Sequence, residues 1–265
     1  MNFGALSAMA MALGVLFYGL ILSGGDSLKI FYDFPSFFIV IGGVVAVTAM
    51  SFQYRRMFAM MKFGILRVIK GKNVNFSDVI TNVILSVESY RKGESLKGLI
   101  DKTEDQFFKE GLALLDGGIL TPDQVFELME ERNDTLFQLY SEDAGKLKIV
   151  SKYPPAFGMM GTTMGMIVLL ANLSGADAIK KVGPAMGICL ITTLYGTVMA
   201  NFGFLPLADN LVEQSKETYL KNRIILEGLK HLHNKENPII VAEKLNSFLL
   251  PGDRLDWKQV LQNGK

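Results

Sequence analysis

Four long windows of the 265-residue chain contain no Asp, Glu, Lys, Arg or His: 1–25, 34–54, 153–176 and 182–208. The charged residues crowd between and after them. Blocks of this kind are what a bilayer imposes, whereas a water-soluble core mixes apolar and charged positions within each helix. Each window reaches the ~20 residues that an apolar helix needs to cross hydrocarbon. The pattern predicts an all-α, polytopic membrane protein with four transmembrane helices and a large helical insertion. The expected organisation is two spans in 1–54, a soluble domain in 55–152, two spans in 153–208 and a soluble tail in 209–265. A secretory leader does not fit the first window. It lacks a basic start, runs near full bilayer length, and places Ala8-Met9-Ala10 before most of the apolar residues.

The soluble parts read as amphipathic helices. Val79, Val83, Ile84 and Val87 mark one apolar stripe ending near Tyr90, with breaks at Gly93 and Gly117-Gly118. Thr121-Pro122-Asp123-Gln124 is a helix start, with Thr as cap, Pro in the first position and Gln three residues after the cap. Val125, Phe126, Met129, Leu136 and Leu139 then form an apolar face leading to the third span. After the fourth span a charged helix continues to about Asn237. Asn237-Pro238 restarts a short helix through Leu250, and Pro251-Gly252 ends it.

Lysine and arginine set the orientation. The Gly24–Asp33 loop carries only Lys29, between Asp26 and Asp33. Arg55, Arg56, Lys62, Arg67, Lys70 and Lys72 lie close after the second span, and the tail is rich in Lys. The N-terminus, insertion and C-terminal tail are therefore expected in the cytoplasm, with the two short loops outside. Lys180-Lys181, in the 174–183 loop, oppose this and are outnumbered. The formal net charge of +1 gives no reason to expect nucleic acid as a partner. The one cysteine, Cys189, excludes an intrachain disulfide. His231 and His233 stand in a charged tail without ligand spacing, and read as surface residues.

No span carries an ionisable side chain, so the chain alone has no proton relay at membrane depth. A partner must supply the acid if ions pass. The third span opens on Pro154-Pro155, and Gly158, Gly161, Thr162 and Gly165 share one face. That face suits close helix packing. In the fourth span Thr193, Thr197 and Asn201 recur every four residues, and either bond back to their own helix or line a polar path. Pro155 and Pro206 nominally free the carbonyls of Ser151 and Phe202; each also reads as a kink or helix boundary. Free carbonyls and threonine hydroxyls are hard oxygen donors suited to a small alkali cation. There is no nucleotide-binding loop, metal signature or catalytic triad, which leaves an enzyme, or any bound cofactor, without support.

The segment Tyr153-Pro154-Pro155-Ala156-Phe157-Gly158-Met159-Met160-Gly161-Thr162 resembles the MotA/PomA family of bacterial flagellar stator proteins. So do Gly183-Pro184-Ala185-Met186, Thr192-Thr193-Leu194-Tyr195-Gly196 and Pro206-Leu207-Ala208-Asp209. The resemblance extends over essentially the whole chain and is weakest in the insertion. It implies a multi-pass subunit of the bacterial cytoplasmic (inner) membrane, surrounded by lipid. A homo-pentamer of this chain would surround two copies of a MotB/PomB-type single-span partner bearing a membrane aspartate. Ion passage would drive rotation, and the insertion would act on the rotor protein FliG. Pro155 and Pro206 match the family's coupling prolines. Sodium-driven members carry hydroxyl residues at the positions of Thr162 and Thr193, which implies sodium over protons. Arg91-Lys92-Gly93 resembles the family's rotor-contacting basic pair, with solvated helix charges as the plainer reading. The family's glutamate eight residues beyond that arginine is Leu99 here, with Asp101 or Glu104 as substitutes. The rival class is a TolQ/ExbB-like energising subunit, which typically has three spans; a non-conducting scaffold is the other alternative.

Overall fold

The computed structural model describes residues 3–24, 28–52, 62, 74–172 and 178–258, and every regular element among them is helical. The basic residues Arg55, Arg56, Arg67, Lys70 and Lys72, on which much of the orientation reading rests, lie outside the described residues.

The first helix, α1, is Phe3–Gly24, and a short 3-10 turn, Leu28–Phe31, follows it. Helix α2, Phe34–Ser51, is capped by Asp33, whose carboxylate accepts from the Ser36 amide, and a π-helical turn at Phe38–Gly42 interrupts it. The soluble insertion supplies α3 (Phe76–Arg91), α4 (Leu96–Lys102), α5 (Gln106–Gly117) and the start of α6 (Pro122–Val150). Helix α7 is Tyr153–Asn172 and α8 is Ala178–Val198, so Lys180 and Lys181 fall in the first turn of a helix and not in a loop. A π-helical turn, Met199–Phe204, joins α8 to α9 (Leu205–His233), and α10 (Pro238–Asn246) follows.

By length and composition, helical runs at Phe34–Ser51, Pro122–Asn172 and Val182–His233 are apolar enough to cross a membrane, and Ala10–Ser23 inside α1 is a shorter apolar stretch. These correspond to the four charge-free windows. The last window ends chemically at Asp209, but the helix does not end there. It runs on to His233 as the residues become polar.

The chain divides into two compact units: Met1–Lys72 with Ser141–Val212, and Asn73–Tyr140 with Glu213–Lys265. It passes between them inside α6 and α9.

In the first unit, Val44, Leu147, Val150, Phe204 and Ala208 form a small core. Gly43 of α2 receives the ring of Phe157 from α7, where a side chain on Gly43 would overlap it.

In the second unit, Ile80, Ile84, Leu112, Met129, Leu229 and Leu245 are among the fully buried residues of the core. Thr121 and Gln124 make the expected reciprocal cap: Gln124 N donates to Thr121 Oγ1 at 3.4 Å and Thr121 N to Gln124 Oε1 at 3.0 Å. Asn237 caps α10 as its sequence suggests, but α10 stops at Asn246, short of Leu250. The α6 stripe also divides. Val125, Phe126 and Met129 are buried, whereas Leu136 and Leu139 are 39 % and 44 % exposed because they lie beyond the core.

His231 is a further difference from the sequence reading, being 4 % exposed and not a surface side chain. Its ring nitrogens lie 3.3 Å from Glu227 and 3.2 Å from Glu236, so local carboxylates explain its burial in a charged segment. His233 is exposed. Burial acts to raise the Glu236 carboxyl, but contacts with His231 and Lys244 and their charge outweigh it and hold the pKa below the ordinary value.

Candidate ion-path face and rotor-facing unit

Helices α7 and α8 approach closely because their facing positions lack side chains. A Cβ on Gly161 would sit 2.5 Å from Thr192 Cγ2, and one on Gly165 would sit 2.5 Å from Cys189 Sγ and 2.9 Å from Ala185 O. Gly158 lies under the Thr192 carbonyl, where a Cβ would approach to 3.0 Å, and Gly196 lies against the Pro154 carbonyl. The glycines are therefore the packing surface that their spacing suggested. Cys189 closes the contact by donating to Thr162 O at 3.3 Å.

That approach brings Thr162 and Thr193 together, 31 residues apart in sequence, with their hydroxyl oxygens at 3.4 Å. Each hydroxyl has a closer partner on its own helix. Thr162 Oγ1 donates to Gly158 O at 2.9 Å, and Thr193 Oγ1 donates to Cys189 O at 3.2 Å. Of the two readings of the α8 hydroxyls, the bond back to the own helix is the one seen, at Thr193 as at Thr162. Either hydroxyl can also donate across the 3.4 Å gap to the other, so the two oxygens share one space between α7 and α8.

Thr193, Thr197 and Asn201 are exposed along α8 and the π-helical turn, with Leu190 continuing the line away from them. Asn201 Nδ2 donates to Thr197 O at 3.0 Å. The stripe ends where the helix widens. Leu205 N reaches back five residues to Ala200 O. In that register the acceptor opposite position 206 is Asn201 O, and Pro206 has no amide to offer it. The carbonyl opposite Pro206 is thus Asn201 O in the π register and Phe202 O in the α register that follows, and neither receives a bond from position 206.

Pro155 behaves differently. Ser151 and Lys152 form the turn before α7, and Pro155 lies in its first helical turn. There the missing amide would have no helical partner in any case, so Pro155 marks a helix start and removes no interior bond.

The charged candidates belong to the second unit. Arg91 ends α3, and Lys92 caps it with its ammonium at 2.5 Å from Glu88. Arg91, Lys92, Asp101 and Glu104 are all exposed. Leu99 is 3 % exposed in the apolar core, which explains why a carboxylate is absent there. Sequence reasoning missed α4 and α5 as separate helices. Their signals were present: Ser95 caps α4 through the Gly98 amide, and Asp105 caps α5 through the Phe108 amide. Asp105 also pairs with Lys221 at 2.6 Å, fastening α5 to α9. Tyr195 was missed as well. Its hydroxyl donates to Phe31 O at 2.6 Å.

Two closely packed apolar helices with an exposed line of hydroxyl and amide groups are what an integral-membrane helix pair presents. The chain belongs to the MotA/TolQ/ExbB proton channel family, whose description matches residues 99–243. Within that family its relatives are flagellar MotA and PomA proteins. It is 29% identical to chemotaxis protein PomA of Vibrio alginolyticus, over 87% of this chain and 89% of that one. It is 30% identical to motility protein A of Borreliella burgdorferi, over 96% of each chain. The fold is shared with the MotAB structure of C. jejuni, at a TM-score of 0.81 and 23% identity over 97% of this chain and 99% of the other. It is shared too with the flagellar MotAB stator complex of Bacillus subtilis, at 0.78 and 21%, covering 96% and 97%. The four-span flagellar stator family to which the residues from Tyr153 to Asp209 pointed is thereby the family of this chain.

Proposed function

We propose that this chain is the ion-conducting stator subunit of a bacterial flagellar motor, using an inward sodium gradient to turn the rotor. The observation that carries the reading is the pair of threonine hydroxyls, Thr162 and Thr193, 3.4 Å apart on the α7–α8 face. Protons need only a carboxylate to carry them, whereas sodium needs several oxygen ligands, and this face supplies them.

The chain lacks the acid. A single-span partner of the MotB/PomB type contributes an aspartate opposite the threonines, and five copies of this chain surround that partner. Thr197 and Asn201 extend the path. Pro206 and its π-helical turn provide a place where α8 and α9 change register as the ion passes, and Pro155 sets the start of α7. The protein sits in the cytoplasmic membrane with both termini inside. Its second unit acts on FliG through Arg91 and Lys92, with Asp101 and Glu104 supplying the negative charge absent at Leu99. The chain is not an enzyme, and the transported ion is its only cargo.

Co-purification from membranes tests the assembly. The account requires a stable complex with one aspartate-bearing single-span protein. A complex with periplasm-directed partners of the TolQ/ExbB kind, or no partner, would overturn it.

A further inference from the structure

The joint between α1 and α2 meets the last turn of α8. Tyr195 donates to Phe31 O at 2.6 Å and accepts from Asp33 N at 3.3 Å. About 21 Å of helix separates Tyr195 from the first charged residue beyond it, Asp209, and about 26 Å separates it from the start of α8 at Ala178. The backbone at residues 31–33, where the 3-10 turn gives way through two irregular residues to α2, is therefore held against the middle of the 182–208 apolar run. In hydrocarbon, irregular backbone persists only where protein groups satisfy it. Tyr195 satisfies one carbonyl and one amide, while Asp33 accepts from the Ser36 amide at 2.8 Å and from its hydroxyl.

We infer that Tyr195 is a positioning residue that fixes the rotation of α8 so that Thr193 and Thr197 face the ion path. At ~100° per residue, Tyr195 lies about 160° around the helix from both threonines. Anchoring that back face to the α1–α2 joint aims the stripe away from it. The glycine face on α7 cannot do this alone. Gly158, Gly161 and Gly165 set how close the helices come and seat Thr192 and Cys189 on that side of α8, and Tyr195 adds a second anchor on another side. The inference rests on the proposed ion path, and its test separates the two.

In cells whose swimming depends on this chain, Tyr195→Phe keeps the ring and removes both hydrogen bonds. The half-saturating sodium concentration for speed should rise about five-fold, the equivalent of one neutral hydrogen bond, with plateau speed and membrane content unchanged. A general loss of stability would lower content or plateau and leave half-saturation in place; an unchanged half-saturation overturns the inference. A second readout needs no motility. In full-length protein in membranes, Thr162→Cys and Thr193→Cys are combined with Cys189→Ala, and the disulfide is formed with an oxidant. Adding Tyr195→Phe should slow cross-linking about five-fold; an undiminished rate overturns the positioning role even if speed changes. If wild-type speed ignores sodium, the ion-path reading fails, and the cross-linking rate alone then decides whether Tyr195 sets the rotation of α8.

Discussion

Replacing Gly196 by alanine sets two effects of known sign against each other. Alanine is favoured over glycine inside a helix by ~1 kcal/mol. Against this, the new Cβ would overlap the Pro154 carbonyl, with Pro154 C at 3.0 Å and Gly158 Cα at 3.3 Å. These are backbone atoms, so no rotamer change relieves the overlap and α7 and α8 must move apart. Overpacking of this kind costs ~1–3 kcal/mol, and an immovable neighbour places the cost near the upper end. The net loss is about 2 kcal/mol, which for a chain of this size lowers the unfolding midpoint by about 4–8 °C. Thermal unfolding of the detergent-purified protein reads this directly. Gly145→Ala is the control, because nothing lies within 4 Å of a Cβ there, and its midpoint should hold or rise. A Gly196→Ala midpoint equal to or above that of the wild type would refute the close packing on which the threonine pair depends.

Restoring the family's acid at Leu99 should be harmful. Leu99→Glu buries a carboxylate in an apolar core, and a loss of at least ~2 kcal/mol is expected in urea unfolding of the second unit, whereas Asp101→Asn should stay within about 0.5 kcal/mol. Charge reversal at Arg91 should reduce torque on a tethered-cell assay without reducing ion flux, and unchanged motility would remove Arg91 from the rotor contact. Glu236 carries a pH signature. Its folded-state pKa is lowered from 4.5, so its contribution to stability is complete above about pH 4.5 and is lost as pH falls through the lowered value. Glu236→Gln should therefore flatten the acid limb of the stability curve, and an unaltered acid limb would show that the His231 and Lys244 contacts contribute nothing.

Features written in contiguous residues were legible in the sequence. The charge-free windows give the apolar helices, Thr121 to Gln124 gives the start of α6, and Asn237-Pro238 gives the start of α10. The motif residues from Tyr153 to Asp209 gave the family. What the sequence concealed depends on distant partners or on local competition between registers. Burial of His231 follows from one carboxylate on α9 and one in the link that follows it, and the exposure of Leu136 and Leu139 from where the core ends, neither of which periodicity reports. Helix α4, with seven residues, is too short to show a clear period, whereas α5 carries a helical apolar face at Phe107, Phe108, Gly111 and Leu112 that the sequence reading passed over. The threonines of α8 were visible as a stripe, but their meeting with Thr162 needs the glycine-lined approach of α7. The π-helical turn at Met199–Phe204 was also hidden, because the sequence was read in α-helical register throughout.

The sodium dependence of swimming speed at fixed pH tests the central claim most directly, measured for the wild type and for Thr162→Ala and Thr193→Ala. The account predicts saturation with sodium in the wild type, and about a ten-fold or greater rise in half-saturating sodium when either hydroxyl is removed, since an oxygen ligand to a charge is worth ~1.5–3 kcal/mol. Speed indifferent to sodium, or the same sodium dependence after both substitutions, would contradict it.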